Sequence, residues 1–296
     1  MSLTLVDATA VGGDRVVRAM TMDGAFRVIA AVTTDTARGA MSAQDVEGTI
    51  GLRLAELMTA AVLVRETTNP GRRVQITWRD VRGGTLVADA LPDGTNRGLV
   101  NPGERIPVEP AGAHVLQVHY TLPNGSLHQG VVSVDDGDDV ATALMRYMQE
   151  SEQTLSLVAV AALPGVDGVR VAGGYLVQLL PEASRDVIAE MAEHLGNLPP
   201  LARMLDGGAS TASALAATVL ASFEHQQLAS SPLSFGCTCS QERVMVGILG
   251  LPPADLEELL TGGTLDVRCD ACGAEYKIEP EALRELRALR QRHYDA

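Results

Sequence analysis

Four cysteines near the end of this 296-residue sequence are the side chains best suited to chemistry. They form two close pairs, Cys237 with Cys239 and Cys269 with Cys272, separated by residues 240–268. Thiolates grouped in this way can fill the four positions of a tetrahedral zinc site. Buried free cysteines and two plain disulfides are the alternative interpretations. The spacing favours Zn²⁺ held by all four cysteines.

The residues around the second pair favour a metal-binding turn. In "CDACGAEY", Gly273 lets the backbone turn tightly around a sulfur, and Tyr276 can pack beside it. A module of about 60 residues buries little apolar surface, whereas structural zinc supplies roughly 10–16 kcal/mol of apparent binding free energy. We therefore expect the module to unfold when the metal is lost.

The Cys-x-Cys pair distinguishes this sequence from an ordinary zinc ribbon, which carries two Cys-x-x-Cys pairs. Without metal, Cys269 and Cys272 can form an unstrained disulfide, and Cys237 and Cys239 can form a strained one. Strained disulfides are labile and reversible. Two pairs that oxidise locally suit a switch better than a permanent cross-link.

Composition limits the classes of function. The formal net charge of −14 repels nucleic-acid phosphates, and Lys277 is the only lysine, which excludes a Walker phosphate loop. The N-terminus lacks the features of a secretory signal, and the most apolar segment, residues 155–163, is too short to cross a bilayer. We expect a cytoplasmic protein, where reducing conditions favour metal binding or redox chemistry by paired cysteines.

Three segments are predicted from the pattern along the chain. Residues 1–182 mix β-branched runs, helical spacing and an Asn-Gly turn, which predicts an α+β core domain of mixed sheet and helices. Residues 183–233 are Ala-rich and predict a helical linker, which is metastable because small side chains bury little area. Residues 234–296 form a C-terminal zinc-binding redox-switch module, with helices after Ser240 and from Pro253 to Leu260.

Individual elements of the core domain can be predicted as well. Asp138 or Asp139 is expected to cap a helix that follows a turn. The other expected elements are strands within residues 24–34, 73–80 and 169–180, a helix over residues 49–66, and a hairpin over residues 114–134.

Beyond these patterns, several stretches resemble one known family. "FGCTCSQERV" surrounds the first cysteine pair, and "RGLVNPG", "HQGVVSV", "YMQESEQ" and "AGGYLVQLLPE" precede it in the same order as in that family. Together they strongly resemble the redox-regulated 33 kDa chaperonin family of heat-shock holdases. The resemblance covers nearly the whole chain and is loose in the first 45 residues and in the linker.

The resemblance implies a redox-regulated, ATP-independent chaperone that binds unfolding client proteins under oxidative stress. In that family the reduced form is inactive and holds zinc through four cysteines, which match Cys237, Cys239, Cys269 and Cys272 here. The oxidised form is active, has released zinc, commonly forms a dimer, and by position carries the disulfides Cys237–Cys239 and Cys269–Cys272. No motif marks the client-binding residues.

Two other functions have sequence features in their favour. A zinc-ribbon nucleic-acid binder could use Arg284, Arg287, Arg290 and Arg292, although cations also favour the C-terminal end of a helix that packs through its leucines. A thiol-disulfide oxidoreductase could use Cys269 and Cys272, although such motifs begin a helix in a βαβ unit. No HExxH or GxSxG motif is present, the Asp-rich residues 134–140 predict a turn and cap, and no enzyme activity is expected.

Overall fold

The computed structural model describes residues 13–80, 83–101, 114–122, 125–135, 137–166, 168–181, 183–207 and 211–294. The expectation about the N-terminal 12 residues, Asn124 of the predicted turn and the side chain of Arg292 lie outside the described residues. The chain divides into two compact units, Met1–Phe235 and Gly236–Ala296. The boundary lies two residues after the predicted start of the C-terminal module.

The first unit contains strands and helices in irregular alternation. In chain order they are β1 (Arg15–Thr21), β2 (Phe26–Val32), α1 (Thr34–Gln44), α2 (Gly48–Thr67), β3 (Val74–Arg79), β4 (Thr85–Ala90), β5 (Thr95–Asn101), β6 (His114–Thr121), β7 (Leu127–Val134), α3 (Val140–Glu150), β8 (Ser156–Gly165), β9 (Gly168–Leu179), α4 (Arg185–Asn197), α5 (Leu201–Asp206), α6 (Ala212–Val219), β10 (His225–Pro232) and β11 (Ser234–Phe235).

The strands of the first unit form two sheets. One has the order β10-β1-β2-β9-β8, and the other has the order β11-β5-β4-β3-β6-β7. Among the described strands, only β11 and β5 pair in parallel. The α+β fold class is thereby confirmed.

Helix α2 is buried around most of its circumference because it lies between the two sheets. Its Leu57 and Leu63 are fully buried in the same cluster as Ile76 of β3 and Leu176 of β9. This cluster is the principal core of the first unit, and it fixes both sheets to one helix.

The local predictions for the core domain are confirmed. Strands β2, β3 and β9, helix α2 and the β6–β7 hairpin lie where the patterns place them. Gly125 of the hairpin turn has a φ of +82°, a conformation that glycine adopts without strain. Asp139 is the N-cap of α3, and its carboxylate accepts a hydrogen bond from the Thr142 backbone N–H at 2.8 Å.

The prediction that residues 183–233 are helical is correct for the first part of this segment and wrong for its last part. Helices α4, α5 and α6 occupy residues 185–219, but residues 225–232 form strand β10, which pairs antiparallel with β1. The polar stretch "HQQLASSP" has little intrinsic preference for a strand. The open edge of β1 supplies backbone hydrogen-bond partners, and Arg15 and Arg18 donate to Ser230 and Ser231 of β10.

The linker helices pack on the sheet that contains β2. Strand β2 is buried on both faces, because Ile29 points into the core around α2, whereas Val28 and Ala30 lie in a second cluster with the linker helices. The linker side chains buried in this second cluster are Met191, Leu201, Met204, Leu205, Ala212, Leu215, Ala216, Val219 and Leu220. The sheet is therefore a packing partner of the linker.

The second unit is small and has a small core. It contains α7 (Gln241–Ile248), α8 (Pro253–Thr261), β12 (Leu265–Arg268), β13 (Glu275–Ile278) and α9 (Pro280–Tyr294). The helices after Ser240 and from Pro253 are as predicted. Strands β12 and β13 form an antiparallel pair. The buried apolar side chains of its described residues are Leu256, Leu260, Ile278 and Leu283.

Candidate metal centre

The first cysteine pair lies between β11 and α7, in a turn that α7 holds in place. The Ser240 hydroxyl caps α7 by accepting a hydrogen bond from the Arg243 backbone N–H at 3.2 Å. The Arg243 guanidinium donates to the carbonyl of Thr238, the residue between the two cysteines, at 2.7 Å. The start of the helix therefore fixes the backbone of the Cys-x-Cys pair.

The second cysteine pair lies in the turn between β12 and β13. The Gly273 N–H donates to the Cys269 carbonyl, and the Cys269 N–H donates to the Ala274 carbonyl, both at 2.8 Å. Gly273 has a φ of +73°, and a Cβ at this position would lie 3.0 Å from the Arg268 guanidinium. The predicted knuckle thus forms, and its positive φ favours glycine at position 273.

The two turns bring all four sulfur atoms together. Every Sγ lies within 4.8 Å of the others, and all four side chains are partly buried. The Sγ atoms of Cys237 and Cys269 are 3.8 Å apart, and those of Cys239 and Cys272 are 3.3 Å apart. A tetrahedron with metal–sulfur bonds of about 2.3 Å has sulfur–sulfur edges of about 3.8 Å. The donor set and its spacing fit zinc.

The electrostatics of the cluster also favour a cation. Burial raises the pKa of the Cys269 thiol. Burial, together with hydrogen bonds to the other three sulfurs, raises the pKa of Cys272 to about 12. Four thiolates at this spacing repel one another, so the thiols favour the protonated form. A bound cation reverses this preference by deprotonating its thiol ligands.

Tyr276 contacts the cluster in a way that the sequence did not predict. The sequence predicted packing beside the sulfurs, and the structure places the Tyr276 hydroxyl 3.0 Å from the Cys239 Sγ. This hydrogen bond, together with burial and the charge of the neighbouring sulfurs, raises the pKa of Tyr276 to about 12. The Arg243 contact with Thr238 was also not predicted, since only the fold shows which side chain reaches that carbonyl.

The other functional candidates from the sequence receive structural partners. Arg284 donates to Glu281 and to the Leu260 carbonyl, and Arg287 donates to Glu257. Arg146 pairs with both Asp135 and Asp138 of the Asp-rich turn. These contacts support structural roles for Arg284, for Arg287 and for the acidic turn.

The position of Cys269 and Cys272 also argues against an oxidoreductase motif, since the pair lies between antiparallel strands and not at the start of a helix.

In the part of the chain that the structure describes, the four cysteines are the only group of three or more His, Cys, Asp or Glu side chains close enough to hold a metal. The helices found there include none with the length and apolar character needed to cross a membrane.

Comparisons with known proteins agree with this architecture. The chain is 30% identical over 295 residues to the 33 kDa chaperonin of Thermus thermophilus, covering 92% of this chain and 86% of that protein. It is 29% identical over 289 residues to the 33 kDa chaperonin of Desulfotalea psychrophila, covering 92% and 97%. The crystal structure of the 33 kDa chaperonin from Thermotoga maritima shares the fold, with a TM-score of 0.79 and 22% identity over 94% of this chain and 99% of that one.

A family model described as Hsp33 protein matches residues 14–279, which include the two sheets of the first unit, the linker helices and all four cysteines. The match spans both compact units and does not stop at the cysteine module. Since it covers most of the sequence, this chain belongs to the Hsp33 family of chaperone proteins.

Proposed function

We propose that this protein is a redox-regulated, ATP-independent holdase of the cytoplasm that binds unfolding proteins under oxidative stress. In the reduced protein, Cys237, Cys239, Cys269 and Cys272 hold one zinc ion and the protein is inactive. In the oxidised protein the cysteines form the disulfides Cys237–Cys239 and Cys269–Cys272, the metal is released, and the chain acts as a homodimer. Nucleic acid is not a partner.

The convergence of four partly buried sulfurs in a module with a small core carries this proposal. When bound, zinc keeps the four sulfurs as thiolates and supplies folding free energy to the module. A core of four buried apolar side chains is too small to stabilise such a module alone. The state of the sulfurs therefore determines whether the module is folded.

The chemistry of activation takes place on the cysteines. For each pair, one thiolate attacks the O–O bond of hydrogen peroxide and becomes a sulfenic acid, with hydroxide as the leaving group. The second thiolate then attacks that sulfur, forms the S–S bond and displaces a second hydroxide. Each pair loses two electrons and each peroxide gains two. Sulfurs joined in a disulfide carry no charge and no longer hold the metal.

The client surface in this proposal is the apolar cluster between the linker helices and the five-stranded sheet. Helices α4, α5 and α6 cover Val28, Ala30 and Tyr175 of that sheet. If the linker loses order, apolar side chains on both sides become exposed, and large exposed apolar patches bind other proteins. Strand β10 joins the linker to β11, which ends at Phe235, two residues before Cys237.

The experiment measures zinc content and client holding in the same samples. Reduced protein should contain one zinc per chain and should not suppress light scattering by a heat-denaturing client. Peroxide-treated protein should have lost the zinc and should suppress the scattering without ATP. Zinc-free reduced protein, or client holding that does not respond to peroxide, would contradict the proposal.

A further inference from the structure

We infer that Tyr276 is a positioning residue for Cys239: its hydroxyl donates a hydrogen bond to the Cys239 sulfur, which favours the reduced arrangement of the first thiol pair and slows its oxidation. This inference rests on the proposed redox function, and it assigns to one side chain a control over how readily the switch reacts.

The contact joins the two halves of the cysteine cluster. Tyr276 is in β13, after the second cysteine pair, and its hydroxyl lies 3.0 Å from the sulfur of Cys239 in the first pair. The side chain of Tyr276 packs against the core cluster of the module, and its backbone pairs with Val267 of β12. The ring is thus held from two sides, so the hydroxyl reaches Cys239 in a fixed direction.

The Cys239 sulfur receives a hydrogen bond from a side chain, whereas the sulfurs of the second pair receive theirs from the backbone. The Cys269 sulfur faces the backbone N–H groups of Ala271 and Cys272, and the Cys272 sulfur faces that of Ala274. These donors belong to the knuckle itself and cannot be removed by substitution. The Tyr276 hydroxyl can be removed without changing the ring, so its contribution can be measured.

The direction of the hydrogen bond follows from the charge on the sulfur. A thiolate has no proton, so the Tyr276 hydroxyl is the donor and the bond is charge-assisted. The hydrogen bond draws electron density away from the sulfur and makes it a weaker nucleophile toward peroxide. A disulfide sulfur is neutral and a weak acceptor. The bond therefore stabilises the reduced pair more than the oxidised pair.

The test compares the full-length zinc-loaded Tyr276→Phe variant with the parent and with Thr264→Val. The Thr264 hydroxyl donates to the Glu279 carboxylate at 2.9 Å in the same module. Thr264→Val therefore also removes one hydroxyl hydrogen bond, away from the cluster. Partners of metal ligands typically change metal affinity by about 10–100-fold when they are removed.

We expect Tyr276→Phe to bind zinc about tenfold more weakly in a chelator competition. Peptide mapping after peroxide should show faster formation of Cys237–Cys239, with a smaller change at Cys269–Cys272. In cobalt-substituted protein, the sulfur-to-cobalt absorption should move to longer wavelength, because the sulfur has lost a hydrogen bond. Thr264→Val should match the parent in all three measurements.

Two results would overturn the role of Tyr276: Tyr276→Phe that equals the parent in affinity, oxidation and absorption, or Thr264→Val that changes as much as Tyr276→Phe. The second result would assign the effect to stability of the module. A parent protein that binds no zinc, or keeps it after peroxide, would instead contradict the proposed function. The two failures are therefore distinguishable.

Discussion

Phe235 lies directly against the backbone of Gly39: a Cβ added at Gly39 would be 2.6 Å from the Phe235 side chain. Gly39 is in α1, and Phe235 is in β11, which pairs in parallel with β5. The Leu233 N–H also donates to the Asp14 carbonyl at 2.9 Å. The end of the first unit is therefore fixed to the core just before the first thiol pair.

This contact predicts that Gly39→Ala destabilises the protein. An alanine in a helix is ordinarily about 1 kcal/mol more favourable than a glycine, but overpacking typically costs about 1–3 kcal/mol. We expect a net loss in the free energy of unfolding and faster hydrogen exchange in residues 225–235. Gly196→Ala is the control, because Gly196 also lies in a helix and has nothing within 4 Å of the new Cβ. Equal stabilisation by both substitutions would contradict the prediction.

Removal of the metal is predicted to unfold the second unit only. The described side chains of the second unit form a core of four buried apolar residues, whereas the first unit has two large clusters. Hydrogen exchange after chelation should therefore show loss of protection in β12 and β13 and retained protection in β2 and β9. Cys269→Ser should give the same pattern with zinc present. Full protection of β12 and β13 in zinc-free protein would show that the module is stable without metal.

Oxidation is predicted to form local disulfides even though another pair of sulfurs lies close together. The Sγ atoms of Cys239 and Cys272 are 3.3 Å apart in the reduced arrangement. Each pair lies within one turn, and once the first oxidation loosens the module and separates the two turns, each cysteine most often meets its sequence neighbour. Peptide mapping should therefore recover Cys237–Cys239 and Cys269–Cys272. A dominant Cys239–Cys272 disulfide would mean that proximity in the folded module decides the pairing.

The metal site could be predicted from the sequence because its ligands are rare residues at short spacing. Each pair lies within one turn, so the local backbone places its two sulfurs. The hydrogen bond from Tyr276 to Cys239 could not be predicted, because it depends on how the β12–β13 pair lies against the turn before α7. No periodicity in the sequence encodes that distance.

The fold was predictable where the local pattern identifies an element, as the helical spacing of apolar residues does in α2 and the β-branched run does in β2. Strand β10 was missed because its pairing comes from the open edge of β1, about 210 residues earlier in the chain. The packing contact between Phe235 and Gly39 was missed for the same reason. Contacts between distant segments follow from the topology, which the local pattern constrains only weakly.

Glu56 provides a prediction of pH dependence. Burial in α2 raises the pKa of this carboxyl from 4.5 to about 6, against a smaller opposite effect of Arg53. A raised pKa means that the folded state favours the protonated form, so stability is lost as the pH rises from 4.5 through 6. Glu56→Gln should therefore stabilise the protein by about 1–2 kcal/mol at pH 7.5 and have little effect at pH 4. Denaturant unfolding at both values tests this, and an equal difference at the two would contradict it.

The last prediction separates loss of the linker from loss of zinc. Leu215 of α6 is fully buried in the cluster between the linker helices and the sheet. Leu215→Ala should cost about 2–5 kcal/mol of packing free energy. This loss destabilises the linker in particular, because α6 has few other large side chains. The reduced, zinc-loaded variant should then show faster hydrogen exchange in residues 185–219 and should hold clients without any oxidant.

Leu57→Ala is the matched control for this experiment. Leu57 is equally buried, but it lies in the core around α2 and away from the linker helices. It should lower the free energy of unfolding by a similar amount without raising client holding, because the linker stays in place. Equal client holding by both variants would show that general destabilisation activates the protein. No gain in Leu215→Ala, despite lost protection in residues 185–219, would place the client surface outside the cluster that the linker covers.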